Sequence, residues 1–262
     1  MNRQPEITFN LYPSLLDAYQ DYLGSEDTWL KFWGNSDTPS VTLEEFEHKQ
    51  FRGLIDRINR VQPAWEDTEK RDRGTAFNMF IDCLVAGKKD ETLEIETVQR
   101  DNGSCYKMFY NGRWFVFPKT VCAEFYSYFK GAQSQVYAEA LLPTQYGNVK
   151  LYGFIDELMP TAIHDIKVTG SYEAWKFKDK WQRVVYPYCI NESGGSVADF
   201  EYNILLITEN RGGTYYDTKT EYYNYTEADR LRLTAFVEDF TEFIEQHREL
   251  ITDKKIFNLL NS

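Results

Sequence analysis

The sequence predicts an α+β fold in which a mixed β-sheet is flanked by helices, with helical elaborations at both chain ends. Three observations carry that expectation. Apolar positions 15, 16, 19, 22 and 23 recur at helical spacing near the start, and Thr226-Glu227-Ala228-Asp229 has the capping spacing that opens a long terminal helix. Between them lie short apolar runs bounded by turn residues, the mark of strands. Helical stretches interrupt those runs, so the order is helix, three antiparallel strands, helix, then further strands, an α/β sandwich. A chain of 262 residues is long enough to bury a sizeable core as one domain.

Taken in order, residues 8–33 read as helical, with Ser14 as N-cap of the stripe that follows. Residues 24–40 are polar and turn-rich, and 41–61 form a second amphipathic helix that Gln62-Pro63 ends. A third helix covers 71–86. The runs 106–110 and 113–117 flank Asn111-Gly112, a strong hairpin signal. Residues 120–130 are helical, and 135–142 is a strand that pairs with 149–156 through a loop at 143–148. After the turn at Pro160, 162–168 is the next strand, and Gly170-Ser171 opens a helix to about residue 190. Residues 200–208 read as a central strand, 215–225 as an edge strand, and the last helix runs to about 251.

Composition narrows the function classes. The net charge of −12 argues against indiscriminate nucleic-acid binding, which depends on neutralising phosphates with Lys and Arg, but it leaves room for a local basic groove. Residues 1–6 lack a basic region followed by an apolar one, and no apolar run approaches membrane-spanning length. The expectation is a soluble cytoplasmic protein with no membrane partner. Cys83, Cys105, Cys122 and Cys189 are scattered with no C-x-x-C pair, which points to reduced, mostly buried thiols.

The stretch 152–186 holds the candidate chemistry. Asp156 closes the apolar run 151–155, and on the following strand Asp165 and Lys167 are two apart, so they project from one face. Two carboxylates beside an ammonium can hold a hard divalent cation and a water. Gln182 and Tyr186, four apart on the next helix, share a face. Glu139 sits inside an apolar strand, where a carboxylate needs a cation, a donor cluster or solvent, so a site role and an exposed strand position both fit. Lys176, Lys178, Lys180 and Arg183 form a basic cluster beside these residues, read either as DNA contacts or as a solvated helix face. His164 points away from Asp165 and reads as structural.

Together, Gly153-Phe154-Ile155-Asp156, Asp165-Ile166-Lys167 and Gln182-Arg183-Val184-Val185-Tyr186 resemble the G-x-x-D, D-x-K and Q-x-x-x-Y motifs of the PD-(D/E)XK nuclease superfamily, in its RecB-like exonuclease branch. Each motif alone is weak; their order, short spacing and strand-strand-helix setting carry the signal. The resemblance covers about residues 71–208 of a single domain, with 1–70 and 209–262 as elaborations. It implies a restriction-endonuclease-like core and a metal-dependent deoxyribonuclease, an exonuclease acting in recombination, replication or repair. Small stand-alone forms of this kind often belong to phage or mobile elements, which would place the protein in a host cytoplasm, with DNA and a recombination or replication protein as partners.

By the same resemblance, Mg²⁺ or Mn²⁺ is held by Asp156, Asp165 and the backbone carbonyl of Ile166, with Glu139 as a further candidate ligand. Lys167 then orients or polarises the attacking water, and Gln182 and Tyr186 lie beside the metal site as catalytic residues that contact DNA or fix the lysine. The helix at 71–86 resembles the family's G-t-x-x-H helix through Gly74-Thr75-Ala76-Phe77-Asn78. Asn78 stands where the histidine would be; it is read either as a weak ligand or as an ordinary polar helix residue, and an amide cannot titrate near neutral pH. Some RecB-like nucleases carry an iron–sulfur cluster, but the scattered cysteines predict none here. Two other readings stay open: a catalytically silent module that binds DNA or a protein partner, and the same fold acting on RNA.

Overall fold

A computed structural model of the chain describes residues 7–100 and 103–258. It is a mixed α/β structure built on a central mixed sheet with helices on both faces. The central strands are β5 (Gln133–Thr144), β6 (Gly147–Leu158), β7 (Ala162–Thr169), β8 (Asp199–Asn210) and β9 (Gly213–Asn224), joined at one side by β1 (Ile7–Leu11). β5 pairs antiparallel with β6 along its whole length, β7 runs parallel to β8, and β9 closes an edge antiparallel to β8. A separate antiparallel sheet holds β2 (Glu94–Arg100), β3 (Gly103–Tyr110) and β4 (Arg113–Pro118). Asn111 (φ 47°) and Gly112 (φ 78°) both take the left-handed backbone that a two-residue hairpin turn requires.

Helices cover the two faces of the central sheet. On one face α1 (Pro13–Leu23), α6 (Gln182–Glu192) and α7 (Glu227–Gln246) bury a core around Leu15, Ile155, Val184, Ile204 and Phe240. On the other, α4 (Glu69–Ala86), α5 (Lys119–Phe129) and the small sheet pack Phe77, Phe117 and Phe129 against Ile166 and Leu205. α2 (Ser25–Trp33) and α3 (Leu43–Ile58) complete the N-terminal region. Capping boxes start α3 at Thr42 and α7 at Thr226, in each case with a carboxylate three residues on bonding back to the cap. No helix among the described residues is long and apolar enough to cross a membrane.

Several sequence expectations need correction. Residues 8–33 are not one helical unit. Residues 7–11 form β1, a parallel partner of β6, and α1 begins at Pro13 with Tyr12, not Ser14, as its cap. Proline suits that first-turn position because its missing N–H would be unpaired anyway. The stretch 24–40 contains α2, so it is not turn-rich throughout. α3 spans less than 41–61 and α7 ends well short of 251. The helix expected from Gly170 starts only at Gln182; residues 174–179 are turns with bonds three residues back, such as Lys178 N–H to the Trp175 carbonyl. Trp175 sits at φ 65°, which no α-helix accommodates.

Candidate active site

The site grows out of a fork in the sheet. β5 fills one edge of β6. Along its other edge β6 pairs first with β1, as far as Leu151 beside Leu11, and later with β7 at only Glu157 and Leu158. Between those contacts β6 and β7 diverge, and Asp156 lies in the gap. Its Oδ2 accepts the Ile166 N–H at 2.8 Å, a side-chain bond standing where a ladder bond would otherwise form. Asn78, on α4, donates its amide to the same Oδ2 at 3.3 Å and to the Ile166 carbonyl at 3.4 Å. Asn78 therefore touches Asp156 and Ile166, two of the three residues of the expected ligand set, but not Asp165, and its own Oδ1 is buried without a partner.

Asp165, Lys167 and Gln182 form a closed triangle on the α6 side of β7. The Lys167 ammonium lies 2.6 Å from Asp165 Oδ2 and donates to Gln182 Oε1 at 2.6 Å, while the Gln182 amide donates to Asp165 Oδ1. Asp165 is 2% exposed and Lys167 a quarter exposed. The lysine thus bridges a buried carboxylate and open solvent. One turn on, the buried Tyr186 ring packs against Gly153, where an added Cβ would come 2.8 Å from its Cε1. The first glycine of G-x-x-D is therefore required by a close approach, not by its backbone angles.

Burial and mutual repulsion set the protonation of this site. Asp156 is pushed up to about 8, by desolvation first and by Asp165 next, against the opposing pull of Lys167 and the Ile166 N–H. Asp165 is also raised by burial, and Lys167 and Gln182 oppose that shift.

Two further carboxyls stand beside Asp156. Asp82, one turn after Asn78 on α4, and Glu157 stand close enough to each other to interact. Burial raises each to about 7, with the Glu157 charge adding to the shift on Asp82. Ser134 donates to Glu157, and Gln135 donates to Asp82 at 3.0 Å. Gln135 reaches Asp82 from a left-handed backbone (φ 53°), uncommon for a non-glycine residue. Sequence reasoning missed this pair; the signal was the i, i+4 spacing of Asn78 and Asp82, and the acid directly after Asp156.

The remaining candidates lie elsewhere. Glu139 is half exposed, accepts from the Tyr137 hydroxyl at 2.6 Å and stands 3.6 Å from Lys150, the exposed-strand alternative. The basic cluster shares no helical face. Lys180 pairs with Asp17 and Arg183 with Asp229, Lys176 donates into the 169–171 loop, and Lys178 is exposed. His164 is buried against Tyr128 and Phe129 on the face opposite Asp165, with Nδ1 3.1 Å from Asn203 Oδ1. Cys105, Cys122 and Cys189 are buried free thiols, and Cys83 is half-buried.

No family model matches the chain, and no curated protein matches it. Among solved structures it is similar to the crystal structure of SSO0001, at 15% identity over 48% of this chain and 57% of that one, with a TM-score of 0.32. The chain thus spans less than two thirds of that protein's length, and a likeness of this size carries no argument about fold or function.

Proposed function

We propose that the fork between β6 and β7 is the active site of a metal-dependent nuclease with a restriction-endonuclease-like core, hydrolysing phosphodiester bonds in DNA. The observation that carries this reading is the convergence of Asp156, Asp165 and Lys167 at the point where the two strands part, with Gln182 and Asn78 bonded to them. A divalent cation fits the residues present. Asn78 Oδ1, on the side chain that bonds Asp156 and the Ile166 carbonyl, is buried with no hydrogen-bond partner, and the raised carboxyls of Asp156 and Asp165 are a donor set that a cation would deprotonate.

Asp156, Asp165 and the Ile166 carbonyl would hold Mg²⁺ or Mn²⁺. Among the described residues no third His, Cys, Asp or Glu closes a cluster with them, so water would complete the set. When bound, such an ion lowers the pKa of a coordinated water and offsets charge on the scissile phosphate.

The chain's own groups do the positioning. Asp165 and Gln182 hold the Lys167 ammonium at the rim of the fork, where its remaining N–H can orient a water or a phosphate oxygen. The Ile166 N–H and the Asn78 amide fix the Asp156 carboxylate. Tyr186 packs beneath Gly153 and braces the helix that carries Gln182.

Purified protein should cleave DNA with Mg²⁺ or Mn²⁺ and stop in excess chelator. Asp165→Asn should abolish cleavage while DNA binding persists, and Lys167→Ala should keep metal affinity but lose rate. Full activity in chelator, or wild-type rates in both variants, would sink the assignment. Folded protein that binds nucleic acid but never cleaves it with any divalent cation would favour the silent-module reading.

A further inference from the structure

The outer face of β5 and β6 leaves aromatic rings uncovered beside the carboxylates. Tyr137 and Phe154 are directly opposite one another across the two strands, their ring centroids 5.2 Å apart, and they are 47% and 55% exposed. Tyr152 adds a third ring 6.5 Å from Tyr137. Arg60 donates to the Tyr152 hydroxyl at 2.9 Å, and the Lys150 ammonium stands 5.7 Å from that ring. A phenylalanine more than half exposed on a sheet face gains little in the isolated chain beyond its contact with Tyr137.

We propose that this strip binds single-stranded nucleic acid, with unpaired bases stacking on Tyr137 and Phe154 as the strand runs toward Asp156. The inference rests on the nuclease reading and names its substrate class. Continuity with the fork is the first argument. Phe154 and Asp156 are two apart on β6 and so share a face, and Tyr137 is two from Gln135 on β5. Gln135, Asn78, Asp82 and Asp156 line an open groove of about 600 Å³, and exposed Lys88 and Lys89 stand on its rim. Rings, carboxylates and lysines thus follow one another along a single path.

Charge complementarity is the second argument. Lys88 and Lys89 lie where the strand would leave the carboxylates, and phosphates suit them, although Asp90 on the same groove offsets one of the two charges. Over the rings themselves the charge is balanced, because Glu139 faces Lys150 and Asp253 pairs with Arg60 at 2.7 Å. Stacking rather than phosphate neutralisation must therefore dominate on the strip, which predicts a shallow dependence of affinity on salt. It also predicts discrimination against duplex, whose bases are already stacked on one another. Base–aromatic stacking is tolerant of sequence because every base has a π-face.

The test is fluorescence anisotropy in chelator with a labelled oligothymidylate, its oligouridylate counterpart and a duplex of equal length. Both single strands should bind more tightly than the duplex, and Tyr137→Ala and Phe154→Ala should each weaken them by roughly 5- to 150-fold. Phe154→Tyr should restore binding, and the melting temperatures of these surface variants should match the parent. Duplex binding as tight as single-strand binding, no single-strand binding, or wild-type affinity in both alanine variants would overturn the proposal. So would self-association of the free chain that Phe154→Ala abolishes, since that assigns the strip to a second copy. Failure of the nuclease reading looks different: single strands bind and the alanine variants lose them, yet no metal supports cleavage.

Discussion

Replacing Gly153 by alanine tests the packing beneath the fork. The new methyl would stand 2.8 Å from Tyr186 Cε1 and 3.1 Å from its hydroxyl oxygen, closer than carbon atoms tolerate. Tyr186 is 5% exposed within the main core, so the ring has no free volume to swing into. Overpacking of this kind costs about 1–3 kcal/mol. In a chain of this length, each kcal/mol lowers the melting temperature by about 2–4 °C, so the fall should be roughly 2 to 12 °C. Differential scanning calorimetry in chelator reads it directly. A double-mutant cycle identifies the cause. In a Tyr186→Phe background the 2.8 Å ring contact remains and most of the penalty should persist, whereas a Tyr186→Ala background should remove it. An unchanged melting temperature in Gly153→Ala, or an equal penalty with alanine at 186, would refute the close approach as the reason for glycine.

Two further outcomes follow from the same site. Asp82, Asp156 and Glu157 hold protons more tightly in the folded chain, at about 7, about 8 and about 7, than the values near 4 of the unfolded chain. The folded state therefore binds more protons across that window, and the melting temperature of the metal-free protein should fall as pH rises from about 4 to about 8. Asp82→Asn should flatten part of that slope; a melting temperature that rises over the same range contradicts these environments. Asn78→His should be tolerated, tighten Mn²⁺ binding and add a pH dependence at roughly 6 to 7, as seen in metal titrations across pH. Identical titrations for the two proteins would place Asn78 outside the site.

The candidate site was legible where local spacing encodes it. Asp165 and Lys167 share a face because strands repeat every two residues, and Gln182 meets them because one helical residue at the right end of α6 is enough. The hairpin at Asn111-Gly112 and the cap at Thr226 were readable for the same reason: their chemistry is local. What sequence reasoning missed depends on distant partners. Ile7-Thr8-Phe9-Asn10-Leu11 alternates apolar and polar residues as a strand does, but the run is short and merges into the helical stripe after it, and only β6, far along the chain, offers it an edge. The stretch 172–181 has helical composition but turns at Trp175, while Phe177 and Trp181 are buried in the core and the Phe177 N–H bonds Glu221 on β9. The Asp82–Glu157 pair exists only because α4 crosses the end of β6.

Mn²⁺ soaked into crystals of the protein, located by its anomalous signal, tests the central claim most directly. The account predicts a peak in the fork at coordination distance, about 2 Å, from carboxylate oxygens of Asp156 and Asp165 and from the Ile166 carbonyl oxygen, lost in Asp165→Asn crystals. A fork that stays empty at saturating Mn²⁺, or a peak that persists unchanged in Asp165→Asn, would contradict it.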